Sequence, residues 1–251
     1  MPEAAHDPSN TALPAGIRDI VARGALRLGL FLPQYDEDPS TGEIRGQGTG
    51  YVGIDLSREL ASQLGIRLEV IGYANPALAV DALRDGGCDI EFLGIEPGRQ
   101  AVLDFTAPIF CFDYTYLVPE NSPIKTVSDA DQTGRKISAV GNHASTMALE
   151  KQIRNAEILR SEIPRQAFDI LKNGGADALA LPRDQLMPYL PELPGSHVLE
   201  DRFGENSIGL ATAQGDADKL AWFGNQIASA KQSGAVLASV ERGQIIGFRI
   251  A

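Results

Sequence analysis

Leu83-Arg84-Asp85-Gly86-Gly87-Cys88-Asp89 returns later in the chain as Leu171-Lys172-Asn173-Gly174-Gly175-Ala176-Asp177. Each copy reads as a helix end, a Gly-Gly stop and an aspartate that opens a strand. Working outward, the first copy closes a β-α-β-α-β series: strand 26–32, a helical stripe of Ile54, Leu56, Leu60, Ala61 and Leu64, strand 67–71, helix 76–85 and strand 90–95. The second copy closes another: strand 136–140, helix 145–153, strand 157–160, helix 164–173 and strand 177–181. A duplicated series of this kind predicts two open α/β sheets with mainly parallel strands. Such sheets bind ligands at the carboxyl ends of their strands, so two copies predict a cleft between lobes.

The first copy runs directly into DIEFLGIEPGRQAVLDFTAP, residues 89–108. A short apolar run is followed by Pro97, which suits a first helical position because its missing N–H costs nothing there. Arg99 then falls in the first turn of a helix at a strand's carboxyl end, a place suited to gripping a carboxylate or another small anion. The same spacing allows a surface arginine paired with Glu96 or Asp104. Both readings stay open on spacing alone.

The remaining segments frame this core. Residues up to about Ala15 read as a leader and 17–23 as a short helix ended by Gly24. Strand 26–32 leads into PQYDEDPSTGEIRGQGTG, whose Pro, Gly, Asp and Ser content is loop chemistry. After the second copy come the loop PELPGSHVLEDRFGEN, a strand over 207–212, a helix over 216–231 and a last helix over 232–242. The expected organisation is a leader with its short helix over 1–23, a first lobe of 24–117 plus 204–251, and an inserted second lobe of 118–203. The chain would cross near Thr115 to Pro119 and return near Arg202 to Asn206, making a hinge.

Composition narrows the function. The chain has 251 residues, 43% hydrophobic, and 22 Lys plus Arg against 33 Asp plus Glu for a formal charge of −11. That sign repels nucleic acid and anionic membranes, so neither is an expected partner. No apolar run reaches the roughly 20 residues of a membrane span. The start, MPEAAHDPSN, lacks a basic stretch and an apolar core, which leaves open a cytoplasmic protein or a mature form carrying a new Met. Cys88 and Cys111, the only cysteines, read as separate core thiols and make a poor metal site. Elbow-serine, zinc-protease and P-loop motifs are all missing, so no cofactor is expected.

Together the opening LRLGL, the GIDLSRELASQLG helix, the block EPGRQAVLDFTAPIF, the phrase YLVPENSPIKTVSDADQTGRKISAV and the final helix with its KQSG turn resemble the family 3 solute-binding proteins of bacterial ABC importers. The resemblance runs from Leu26 to Gly243. It implies a two-lobed α/β fold of the type II periplasmic-binding-protein kind, with a hinge and an interlobe cleft. It implies a monomeric, periplasmic partner of an ABC permease that captures a small carboxylate-bearing solute. Arg99 would grip the carboxylate, with Leu93, Gly94 and Ile95 beside it. Gln34 and Tyr35 in the loop after the first strand would line the cleft, Tyr35 packing on the ligand. In the turn 141–146 the resemblance points to His143, Ser145 and Thr146, and the two hydroxyls could equally cap a helix.

Two departures bear on the ligand. Amino-acid binders of this family carry a Ser/Gly-Met-x-Ile/Thr run before the arginine, whereas here the segment is two residues shorter and reads Phe92-Leu93-Gly94-Ile95-Glu96. The family's ammonium-binding aspartate is replaced by Pro182 in Asp177-Ala178-Leu179-Ala180-Leu181-Pro182, leaving Asp184 or Glu91 as substitutes. The competing class is an enzyme on the same fold, a dehydratase of the cyclohexadienyl or arogenate type, for which His143 and Glu91 are the proton-transfer candidates. A regulator's effector domain shares the architecture too, but would need an attached DNA-binding segment.

Overall fold

The computed structural model describes residues 13–141 and 143–251, and the described part of the chain divides into two compact units. Unit 1 holds residues up to Ile109, then Ile208–Ile245 and Ile250; unit 2 holds Phe110–Ser207, Ile246–Arg249 and Ala251. Most of the leader, residues 1–12, lies outside the described residues.

Unit 1 opens with α1, Ala15–Arg23, ended by Gly24 in the left-handed region at φ 75°. Strand β1, Ala25–Phe31, is followed by the short strands β2, Tyr35–Glu37, and β3, Ile44–Gly46. The segment expected as a plain loop is therefore a β-hairpin, closed by antiparallel pairing of Tyr35 with Gly46 and Glu37 with Ile44. Its polar composition hid it, because a two-stranded ribbon with little buried surface carries no apolar alternation. Helix α2, Thr49–Gln63, leads to β4, Arg67–Tyr73, which pairs in parallel with β1 from Ala25–Arg67 to Phe31–Tyr73. Helix α3, Pro76–Arg84, capped by the Asn75 side chain on Leu78 N, precedes β5, Glu91–Gly94, α4, Pro97–Gln100, and β6, Leu103–Phe105. Leu83, Cys88, Leu93, Leu103 and Ala211 form a core cluster of this unit.

Strand β7, Phe110–Val118, begins unit 2. Then come β8, Lys136–Val140, α5, Ala144–Glu150, β9, Glu157–Ser161, α6, Pro164–Lys172, β10, Ala178–Pro182, α7, Arg183–Leu186, and the two-residue β11, His197–Val198. Strands β9, β8 and β10 are parallel neighbours, while β7 runs antiparallel to β10 from Leu117–Leu179 to Tyr114–Pro182. Strand β10 is buried along its whole length and alternates between two cores. Ala178 and Ala180 join Tyr114, Tyr116 and Ile137, whereas Leu179 and Leu181 join Phe168 and Leu171. A strand covered on both faces reads as a continuous apolar run, and each leucine so buried contributes about 1.5–3 kcal/mol.

Strand β12, Gly204–Ala213, starts in unit 2 and ends in unit 1, where it runs antiparallel to β5 and β6. The sheets are thus mixed. Helices α8, Ala217–Gln232, and α9, Ala235–Arg242, follow, and the chain finishes with β13, Phe248–Ile250, beside β7. Residues 110–117, 204–207 and most of 246–251, assigned above to the first lobe, belong to unit 2. The reason is packing. The rings of Tyr114 and Tyr116 lie 6.1 and 5.0 Å from that of Phe203. Arg249 reaches Glu205 at 2.5 Å and Asp113 at 3.5 Å, which ties the chain end to unit 2.

Candidate functional site

The Gly-Gly stop sets the geometry that brings β5 to its place. Gly86 sits at φ 79°, Gly87 N donates to Ala82 O at 2.6 Å, and Asp89 then accepts from Arg27 N at 2.9 Å. Asp89 is held by the guanidinium groups of Arg23 and Arg27. With its start pinned beside β1, β5 ends at Gly94, and Pro97 opens α4 at its first turn. Arg99 is only 21% exposed at its side chain, and its Nη1 donates to Gly94 O at 3.0 Å. Glu96 stands 3.8 Å away, a loose pair, and Asp104 is not among the partners of Arg99. Among the described residues, Nη2 and Nε of Arg99 make no hydrogen bond to the protein. A fork anchored at one nitrogen and open at the others is arranged to receive an anion.

The other unit 1 candidates separate. Leu93 is a core side chain, 1% exposed, so its backbone is all it can offer. Gly94 is buried and Ile95 partly buried at the end of β5. Tyr35 is 7% exposed and lies over Gly72, where an added Cβ would come within 2.5 Å of its ring, and its hydroxyl donates to Tyr73 O at 3.4 Å. Tyr35 is therefore spent on β4 rather than held out for stacking. Gln34 is likewise occupied: Oε1 accepts from Phe31 N at 3.3 Å and Nε2 donates to Thr49 Oγ1 at 3.3 Å. The hairpin uses both residues to fasten itself, which a loop reading could not foresee.

Glu91 is 1% exposed and faces the core cluster, not solvent. Its Oε1 accepts from the Cys88 thiol at 3.6 Å, and Oε2 meets no hydrogen-bond partner among the described residues. Burial pushes the carboxyl up to about 7, against smaller opposing effects of the Cys88 hydrogen bond and the Arg99 charge. A ligand ammonium cannot reach this oxygen without opening the core, so Glu91 is withdrawn as its acceptor.

In unit 2 the helix cap is His143, not Ser145 or Thr146. Nδ1 of His143 accepts from Ser145 N at 3.2 Å and lies 2.8 Å from Ser145 Oγ. An accepting Nδ1 requires the neutral ring, and burial lowers the pKa in the same direction. Ser145 and Thr146 are buried, and Thr146 Oγ1 has no hydrogen-bond partner among the described residues. Asp184, in α7 directly after β10, has its Oδ1 buried without a hydrogen-bond partner among the described residues, and burial pushes its carboxyl up to about 6. Gly247 of the chain end packs on it: an added Cβ would lie 2.6 Å from Asp184 N. Strands β8 and β10 are parallel neighbours, so α5 with its cap His143 and Thr146, and α7 with Asp184, follow strands that end on the same edge of one sheet. Among the described residues no His/Cys/Asp/Glu group could hold a metal ion.

An α/β chain of two units, built from parallel series with polar groups on the turns at their carboxyl ends, has the type II periplasmic-binding-protein fold. The chain belongs to the bacterial extracellular solute-binding proteins, family 3, whose model matches residues 36–242. It is 26% identical over 208 residues to a glutamine-binding protein of Geobacillus stearothermophilus, covering 79% of this chain and 76% of that one. It is similar to the solved structure of an ancestral cationic amino acid solute-binding protein, with TM-score 0.66, 26% identity, and 90% and 98% of the two chains covered. A binding component of an ABC transporter from Wolinella succinogenes, solved with lysine, shares the fold at TM-score 0.63 and 22% identity, over 88% of this chain and 95% of that one.

Proposed function

We propose that this protein captures a free amino acid or a closely related organic acid for an ABC importer, with Arg99 gripping the ligand carboxylate. The observation that carries the reading is the unspent Arg99 fork, held on Gly94 O at the end of β5. In unit 2, Asp184 is the proposed acceptor for a cationic group, since the residue is half-buried just past the carboxyl end of β10 and pairs with no basic side chain among the described residues; Thr146, as buried as Glu91, is not proposed as a contact. Work outside the cytoplasmic membrane accords with the family. Binding is favoured over dehydratase turnover because Glu91 is shut in the core and His143 Nδ1 is committed to its cap.

The test is calorimetric titration with glutamine, lysine and arginine. Replacing Arg99 with Ala removes the ligand carboxylate's main partner, which typically costs about 2–5 kcal/mol. That corresponds to roughly thirtyfold to several-thousandfold weaker binding. Arg99→Lys should also bind poorly, because an ammonium lacks the planar fork. Normal affinity in both variants, each still folded by circular dichroism, ends this account. Turnover of prephenate or arogenate by the wild type would move the protein to the dehydratase class.

A further inference from the structure

The second copy of the repeat shows what is unusual in the first. Two residues beyond its aspartate, unit 2 has Leu179, fully buried; unit 1 has Glu91, equally buried. The carboxyl is fitted, not tolerated by accident of exposure. Gly29 of β1 leaves the space for it, since a Cβ there would come within 2.5 Å of Oε1. The Cys88 thiol donates to Oε1, and Tyr73 packs against the cluster that holds Cys88. Around these, Leu83, Leu93, Leu103 and Ala211 are apolar. The groups with charge or protons that bear on Glu91 are therefore Cys88 before β5, Tyr73 on β4 through Cys88, and Arg99 on α4. Arg99 is fastened through Nη1 to Gly94 O at 3.0 Å, at the other end of the short strand that begins with Glu91, and its charge favours the ionised form.

We propose that Glu91 is a proton-binding site built into unit 1 and linked to the Arg99 anchor, so that a ligand carboxylate on Arg99 and a negative charge on Glu91 disfavour one another. The inference rests on the reading of Arg99 as a carboxylate anchor. A proton from solvent adds to the Glu91 carboxylate as the ligand neutralises the guanidinium, and it leaves when the ligand leaves. Burial supports this by holding the acid near neutrality. Linkage is reciprocal: if the ligand draws a proton onto Glu91, then loss of that proton at higher pH must weaken binding.

The first measurement needs no ligand. Infrared titration of the carboxylic-acid band in wild type and in Glu91→Gln should show one acid that titrates near neutrality and is missing in the variant. A wild-type difference band confined to the ordinary carboxylate range overturns the proton site. Arg99→Ala should move the midpoint upward by a few tenths to one pH unit, and Arg99→Lys, which keeps the charge, should move it less. Arg99→Gln repeats the Ala arm should that variant fail to fold. No movement overturns the linkage. Saturating L-glutamine should act as Arg99→Ala does, and wild-type affinity for it should fall about two- to fivefold from pH 6 to pH 8, with no such fall in Glu91→Gln. If Glu91 titrates and responds to Arg99 but neither glutamine nor lysine binds through Arg99, the anchor reading fails while the proton site stands.

Discussion

The two Gly-Gly corners share a backbone and differ in what they bear. In each, the second glycine donates back into the helix, at 2.6 Å from Gly87 to Ala82 and 2.8 Å from Gly175 to Ile170. In each, the aspartate accepts from the first strand of its β-α-β-α-β series, at 2.9 Å from Arg27 N and 2.8 Å from Lys136 N. The loads diverge there. Asp89 holds two arginines and is 9% exposed at its side chain, while Asp177 holds Arg135 alone and is 33% exposed. Downstream, unit 1 has an acid where unit 2 has a leucine. One corner thus serves as a strand clasp in both units, and only unit 1 has loaded it with extra charge.

The largest expected difference lies at the aspartates. Removing one member of a buried pair leaves its partners uncompensated, so Asp89→Ala should cost unit 1 about 2–4 kcal/mol, a range lowered because both arginines touch solvent. Asp177→Ala, losing a partly exposed pair and a strand hydrogen bond, should cost about 1 kcal/mol. Urea unfolding with hydrogen exchange read separately on β1 and β8 measures both, and equal losses would show that the second arginine adds nothing.

Next comes the acid. The folded pKa of Glu91 is raised to about 7 from a starting value of 4.5, so the folded state holds a proton that the unfolded chain releases. Its contribution to stability is fully present below about pH 4.5, declines as pH rises, and is lost above about pH 7. Glu91→Gln should remove that decline and leave the variant about 2 kcal/mol more stable than wild type at pH 8, with little difference or the reverse at pH 4. Thermal unfolding of the two proteins across that range would refute the assignment if their pH profiles ran parallel.

The smallest effect tests the shared backbone. Gly86 and Gly174 sit at φ 79° and 75° with no atom near a would-be Cβ, so Gly86→Ala and Gly174→Ala should each cost about 1 kcal/mol from backbone strain alone. Costs differing by more than about 0.5 kcal/mol would mean that the corners are not equivalent.

What the chain revealed as text follows from periods and turn chemistry. The paired corners and the short apolar runs of β8 and β10 were legible because glycine conformations and buried strand segments leave local marks in the sequence. So was the position of Arg99, through Pro97 at the head of α4. The hairpin β2–β3 and the last strand β13 were not, because short polar strands are stabilised by their partners and not by their own pattern. Tyr35 and Gln34 looked available for the same reason: their partners, Gly72, Tyr73, Phe31 and Thr49, are brought to them by the fold.

Glu91 marks the boundary. The sequence by itself determined two α/β series, the corners that start β5 and β10, and an arginine at the end of the first. Tertiary structure alone decided that the acid two residues past Asp89 turns inward over Gly29 and beside Cys88, and that Tyr35 is closed away while Arg99 keeps an open fork. The physical reason is that burial and pairing depend on residues far apart in the chain, and those same neighbours set whether a carboxyl is a surface charge or a held proton.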